Sequence, residues 1–108
     1  MNDPKSDREL LQLAAKAAGK IYVGWESHEE YLIVETGYVN MTALWNPLED
    51  DGEALRLAFK LHFDIYCNAD GAEVDSEIGN VFEDNPADPM AATRRAIVRA
   101  AAAIGESK

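Results

Sequence analysis

The side chains that could support catalysis are few: two histidines, one cysteine and many carboxylates. A cysteine nucleophile needs an activating base within hydrogen-bond reach, and His62 is the nearest candidate along the chain to Cys67. Side chains five residues apart on one strand point to opposite faces of the sheet. We therefore expect Cys67 to be a small buried residue, and we expect no enzymatic activity and no catalytic residue.

Oxygen-bearing side chains surround a predicted tight turn, and such groups are the usual ligands of calcium. The turn is Asp70-Gly71, with Asn68 before it and Glu73 and Asp75 after it. The spacing does not match the calcium-loop motif, because the glycine comes too early and no glutamate stands at the twelfth position. A solvated acidic hairpin explains these residues better, so neither a metal nor another cofactor is expected.

The charges are sorted along the chain. From Ile21 to Thr93 there are sixteen carboxylates but only two basic residues, Arg56 and Lys60, whereas the other eight basic residues lie outside that stretch. The formal net charge is −10. A field of this sign repels phosphate groups, so we expect neither nucleic acid nor an anionic membrane as a direct partner. A basic protein is the electrostatically favoured partner.

Capping residues predict three helices. Ser6 and Glu9 have the spacing of a capping box, Asp50 stands before an amphipathic segment, and Asp88 precedes Pro89. We expect the helices over 7–18, 51–61 and from Pro89 until Gly105. The second helix is apolar around most of its circumference, so we expect it to be the most buried. The alanines of the last helix allow the close approach of another helix or of a second copy of the chain.

Two hairpins are predicted between the helices. Segments 20–25 and 31–36 are nearly continuous in apolar character and should be covered on both faces, with a polar connection over 26–30. Segment 37–44 extends the second strand or adds a short one. The second hairpin has alternating residues over 63–68 and 73–78, which indicates one buried and one acidic face. The acidic face should carry four carboxylates, which we assign as the candidate partner-binding residues: Asp64, Glu73, Asp75 and Glu77.

The order of elements predicts an α+β fold. Short connections imply a mostly antiparallel sheet of four or five strands with helices packed on it, an α/β/α type of sandwich within a single domain over residues 1–108. A single cysteine excludes an intramolecular disulfide, and the residues before Ser6 carry no signal-peptide pattern. A reducing cytoplasm is the expected location, without a membrane association.

Two segments resemble a known family. Trp45–Leu61 joins a Trp-Asn-Pro turn, an acidic cap and an amphipathic helix, and Ala91–Gly105 is an alanine-rich helix. With the opening Asp7-Arg8-Glu9-Leu10-Leu11, they resemble small phage and prophage proteins of the phage ABA sandwich domain group. This resemblance implies a sheet between helical layers and a phage-encoded accessory protein made in the cytoplasm of a bacterial host. It implies no catalytic residues.

Two functions follow as hypotheses. The first is a non-enzymatic binding module whose acidic surface, as a mimic of nucleic acid, occupies the basic groove of a host protein. The second is a structural or morphogenetic phage component that forms a homodimer or larger assembly through its alanine-rich last helix. General solubility explains the acidic residues equally well.

Overall fold

The computed structural model of the protein describes residues 5–28 and 30–108. Within this part of the chain, three helices and six strands follow one another in the order α-β-β-β-α-β-β-β-α. Of the expected polar connection over 26–30, Glu29 lies outside the described residues. The elements are α1 (Asp7–Ala17), β1 (Tyr22–Trp25), β2 (Leu32–Glu35), β3 (Thr42–Trp45), α2 (Asp51–Lys60), β4 (Asp64–Cys67), β5 (Gly71–Ser76), β6 (Gly79–Asp84) and α3 (Pro89–Glu106).

Each helix begins at its predicted cap. The Ser6 hydroxyl accepts a hydrogen bond from the Glu9 backbone at 3.2 Å, and the Glu9 carboxylate accepts one from the Ser6 backbone at 3.5 Å. Asp50 and Asp88 accept the corresponding bonds at the starts of α2 and α3, at 2.9 Å and 3.0 Å. These bonds satisfy N–H groups that have no partner inside the helix, so all three predicted starts are confirmed.

The end of α3 differs from the prediction, because Gly105 does not terminate the helix. The helix continues to Glu106, and Gly105 is buried inside it. A Cβ atom at this position would overlap the backbone carbonyl of Leu13 in α1. The glycine is therefore required by the close approach of two helices and not by a turn.

The strands form two separate antiparallel sheets, ordered β1-β2-β3 and β4-β5-β6. The antiparallel α+β class is confirmed, but the described residues form six strands where four or five were expected in one sheet. The segment 37–44 contributes the separate strand β3, and Gly79–Asp84 contributes β6, which was not predicted. Each sheet consists of strands that follow one another in sequence, so only local connections were needed to form it.

The core is centred on α3, which packs against α1, α2, β5 and β6. The prediction that α2 is the most buried helix is wrong, because only Ala54, Leu57 and Ala58 of α2 are buried. Nine residues of α3 are buried, including five alanines: Ala92, Ala96, Ala100, Ala101 and Ala102. These five alanines are covered by the chain's own elements, whereas Ala103 of the same helix is exposed. None of the helices in the described part of the chain is long and apolar enough to span a bilayer.

The sequence predicted that the first sheet is covered on both faces, but only one of its faces is covered. Leu32 and Val34 of β2 are buried in the core, whereas Val23 and Leu44 on the neighbouring strands are more than half exposed. The pairing of β1 with β2 also contains an irregularity between Tyr22 and Gly24. An antiparallel sheet can leave one face in solvent, and here the apolar runs of β1 and β2 include residues on that open face.

The Trp-Asn-Pro turn connects the first sheet to α2 and α3. Asn46 is buried, and its side chain donates to the Glu30 carbonyl at 2.6 Å and accepts from the Leu48 backbone at 2.9 Å. Arg94 of α3 donates to the Leu48 carbonyl at 2.7 Å and contacts Asp51 at 2.7 Å. These bonds explain why a polar side chain is tolerated at this buried position.

Candidate protein-binding face

The outer face of the second sheet brings together three of the four predicted site residues. Because residues directly opposite in an antiparallel pair share a face, the alignments of Asp64 with Asp75 and of Tyr66 with Glu73 place these side chains on one side of the sheet. The pairing of β5 with β6 adds Asn80 opposite Asp75 and Phe82 opposite Glu73. We call this surface the outer β4–β6 face; it comprises Asp64, Tyr66, Glu73, Asp75, Asn80 and Phe82.

The opposite face of the same sheet explains this orientation. Ile65, Val74 and Val81 are aligned across β4, β5 and β6, and all three belong to or pack against the hydrophobic core. Val74 is fully buried, and α3 contacts both β5 and β6. A one-residue shift in register would exchange the two faces and bury the carboxylates, so burial of the apolar residues fixes the outward position of the acidic ones.

The outer β4–β6 face has unfavourable internal electrostatics. Asp64 and Asp75 lie directly opposite each other, and like charges at such positions repel. The Oδ1 atom of Asp75 is shielded from solvent and has no hydrogen-bond partner. Glu73 accepts a hydrogen bond from the amide of Asn80 at 2.9 Å, which leaves its negative charge in place. The face therefore presents three carboxylates on one side of the sheet and includes no basic residue.

Two large aromatic side chains lie among these carboxylates. Tyr66 is 56% exposed and Phe82 is 64% exposed, and both are aligned with Glu73, from its two neighbouring strands. Aromatic residues that leave much of their surface in water are common at protein interfaces, where a partner buries them. The outer β4–β6 face thus combines negative charge with apolar surface.

Glu77, the fourth predicted site residue, does not lie on a strand. It belongs to the turn between β5 and β6, where it is exposed. The Ser76 hydroxyl bridges this turn by donating to the Gly79 carbonyl at 3.1 Å and accepting from the Ile78 backbone at 3.3 Å. Ile78, which the alternating pattern had placed on the buried face, is 51% exposed in the same turn. The strand ends earlier than predicted, so Glu77 lies at the end of the face and not within it.

Several basic side chains pair with carboxylates elsewhere. Among the described residues, no ion pair includes Asp64, Glu73, Asp75 or Glu77. Arg95 and Arg99 both contact Glu83, and Arg95 also contacts Asp7 at 2.9 Å. Further pairs among the described residues join Lys5 to Glu106, Arg56 to Glu53 and Arg94 to Asp51. The outer β4–β6 face therefore keeps its negative charge, as do exposed carboxylates elsewhere, such as Glu35 and Glu49.

The other residues that could have supported chemistry are not brought together. Cys67 is exposed at the end of edge strand β4, so the prediction that it is buried is wrong. His62 follows α2 in a left-handed conformation with φ 59°. Asn68 accepts hydrogen bonds from the Asp70 and Gly71 backbones at 2.8 Å and 3.0 Å, which assigns it to the turn. In the described residues, no group of three or more His, Cys, Asp or Glu side chains has an arrangement that could hold a metal ion.

One carboxylate has a structural role that the sequence did not reveal. Glu26 accepts hydrogen bonds from the His28 and Glu30 backbones, both at 2.8 Å, in the connection between β1 and β2. These bonds favour the charged form, so they lower the pKa of Glu26 from its ordinary value of 4.5. Glu26 therefore stabilises its own loop and is not counted in the candidate face.

Only one of the two aromatic residues of the face could be predicted from the sequence. Tyr66 alternates with the apolar residues of its strand and so falls on the acidic side of the predicted hairpin. Phe82 was missed because β6 was not predicted.

No known protein family matches the chain, and neither the characterised proteins nor the solved structures include one with significant similarity to it.

Proposed function

We propose that this protein is a non-enzymatic binding module that engages a basic protein through the outer β4–β6 face. The observation that carries the proposal is the alignment of Asp64, Glu73 and Asp75 with two exposed aromatic residues on one uncovered sheet face. Lysine and arginine side chains of a partner would neutralise the carboxylates. Complementary charge of this kind accelerates association and selects the partner, while buried aromatic residues contribute affinity.

The composition of the face favours a protein as the partner. Tyr66 and Phe82 offer an apolar centre of the kind found in protein interfaces, which a small cation would not bury. The same composition supports a narrower proposal, in which the partner surface is a basic groove that otherwise binds a nucleic-acid backbone. A phage accessory protein acting on such a host factor in the bacterial cytoplasm fits the resemblance noted in the sequence.

Charge neutralisation at the face provides the test. The variant Asp64→Asn/Glu73→Gln/Asp75→Asn removes three charges from the face and preserves side-chain size. A matched control, Glu30→Gln/Glu35→Gln/Glu49→Gln, removes three charges from exposed positions outside it. Both variants are used to capture partners from a bacterial lysate, next to the wild type, at about 0.1 M and about 0.5 M salt. Raising the salt over this range shortens the Debye length from about 10 Å to less than half of that.

The proposal expects a basic protein that is retained by the wild type and by the control but not by the face variant, and that is released at the higher salt concentration. Equal retention by all three proteins would contradict the proposal, because the bound protein would then not use the face. Loss from both variants would contradict it as well, since net charge alone would explain the binding.

A further inference from the structure

A small pocket is lined by the only two basic residues of the acidic stretch from Ile21 to Thr93. These residues are Arg56 and Lys60 of α2, and Lys20, which follows α1, lines the same pocket. Arg56 and Lys60 are four residues apart, so they lie on the same side of the helix. The pocket has a volume of about 280 Å³ and lies between α2, the end of α1 and the end of β3. We call it the α1–α2 pocket.

The wall of the α1–α2 pocket is apolar and belongs to the core. Ala18, Trp45 and Leu57 line it, and all three are buried. The ammonium group of Lys20 lies 6.0 Å from the centroid of the Trp45 ring, within the range of a cation–π contact. This contact holds Lys20 beside the wall, while its ammonium group keeps its charge and its N–H donors. Part of the pocket is therefore in place before any ligand binds.

The lysines of the α1–α2 pocket have no acidic partners. Three basic residues and one carboxylate, Glu53, line the pocket, which leaves two positive charges uncompensated. Glu53 contacts Arg56 at 2.8 Å, and together with Asp50 it raises the pKa of Arg56, so this arginine is already paired. No ion pair formed within residues 5–28 and 30–108 includes Lys20 or Lys60. These two lysines are the cations that the pocket offers to a ligand.

The charge of the α1–α2 pocket is opposite to that of the whole chain, which has a net charge of −10. At about 0.15 M salt the Debye length is about 8 Å, so exposed charges farther away than this are largely screened. The potential within the pocket is therefore determined mainly by the residues that line it. A nucleic-acid strand would extend beyond the pocket onto a surface that carries carboxylates, whereas a small anion would not. The pocket thus favours a small anion, although the surface around it repels polyanions.

We propose that the α1–α2 pocket binds the phosphate group of a small phosphate monoester. Such a group carries close to two negative charges at neutral pH, which matches the two lysines without an acidic partner. Its oxygens accept hydrogen bonds from the ammonium groups of Lys20 and Lys60, and charge-assisted bonds of this kind are stronger than neutral ones. The organic part of the ligand contacts the apolar wall beside Trp45. This site shares no residue with the outer β4–β6 face and does not depend on the function proposed for that face.

Two esters of the same shape test the charge match. Phenyl phosphate carries close to two negative charges near neutral pH, whereas phenyl sulfate carries one. An NMR titration in about 0.05 M salt follows the indole N–H signal of Trp45, and a Trp25→Phe variant identifies the signal of the other tryptophan. Two charge-assisted hydrogen bonds correspond to a dissociation constant of about 1 mM for phenyl phosphate, and phenyl sulfate should bind at least about fivefold more weakly. The Trp25 signal should not shift, because Trp25 lies against Arg8 outside the pocket.

Single substitutions test the two lysines. Lys20→Gln and Lys60→Gln should each weaken the binding of phenyl phosphate at least about fivefold. Lys16→Gln is the matched control, because it removes the same charge from an exposed lysine outside the pocket, and it should change the affinity by less than about twofold. Circular dichroism confirms that each variant is folded.

Three results would overturn the proposal. The first is the absence of any shift of the Trp45 signal up to about 10 mM phenyl phosphate, a concentration well above the expected dissociation constant. The second is a Lys16→Gln variant that binds as weakly as the two pocket variants, because net charge alone would then explain the binding. The third is equal affinity for phenyl phosphate and phenyl sulfate, because the charge match would then have no effect.

Discussion

The close approach of α1 and α3 makes Gly105→Ala the most informative single substitution for the fold. Alanine is the better helix former by about 1 kcal/mol, so propensity alone predicts a more stable protein. The new Cβ atom, however, would overlap the Leu13 backbone carbonyl, which cannot rotate away as a side chain could. Overpacking costs about 1 to 3 kcal/mol, and a backbone obstacle places the cost at or above the upper end. The net loss is therefore at least about 2 kcal/mol.

Urea unfolding followed by circular dichroism measures this effect, with an unchanged slope showing that only stability has changed. For a chain of this length the melting temperature should fall by roughly 8 to 16 °C. Gly52→Ala is the matched control, because its Cβ atom would meet only side-chain atoms, those of Arg56 and of the capping Asp50, at 3.2 to 3.3 Å and no backbone atom. The control should be neutral or more stable by up to about 1 kcal/mol. A Gly105→Ala protein as stable as the wild type would refute the close packing of α1 on α3.

Three further substitutions have predicted effects. His62→Gly should raise the free energy of unfolding by about 1 kcal/mol in urea denaturation, because His62 holds a positive φ that glycine adopts freely; no gain would contradict this explanation. Asp75→Asn should raise the free energy of unfolding by about 0.2 to 1 kcal/mol in the same assay, because it removes the repulsion from Asp64. A loss of stability would show that the two charges do not repel. Glu26→Gln should destabilise the protein most above pH 4.5, because the charged carboxylate of Glu26 accepts the loop hydrogen bonds. The destabilisation should decrease as the pH falls through the lowered pKa of Glu26. A pH-independent difference in unfolding free energy would contradict this.

The helices could be predicted because their signals are local. Ser6, Asp50 and Asp88 each bond to a backbone N–H three residues later, so their spacing along the chain determines the geometry. The acidic alternation of β4 and β5 was accessible for the same reason, since a strand's period of two follows directly from the backbone. Asp64, Glu73 and Asp75 therefore reach the same face as predicted.

The strand β6 could not be predicted from the hydrophobic pattern, because two adjacent residues reverse the usual arrangement of apolar side chains inside and acidic side chains outside. Phe82 points to the outer face, whereas Glu83 is half-buried on the inner side. Glu83 is tolerated there because Arg95 and Arg99 contact it from α3. These residues are more than ten positions apart along the chain, so no local pattern indicates the contact. Such tertiary pairing overrides the local preference of an acidic residue for solvent.

The exposed side of α2 and the open face of the first sheet illustrate a second limit. An apolar residue in the sequence shows that burial would be favourable, but it does not show which surface covers it. Leu55 and Phe59 therefore led to the wrong prediction that α2 is the most buried helix.

Covalent capture at the outer β4–β6 face tests the proposed function most directly. A photoreactive benzophenone side chain in place of Phe82 reports which molecule lies against the centre of the face. The same group in place of Tyr38, which is 74% exposed in the connection between β2 and β3, is the control. After irradiation in a bacterial lysate, the proposal predicts a covalent adduct with a basic protein from position 82 and its absence from position 38. Equal labelling from both positions, or no adduct from position 82, would contradict the assignment of this face as the binding surface.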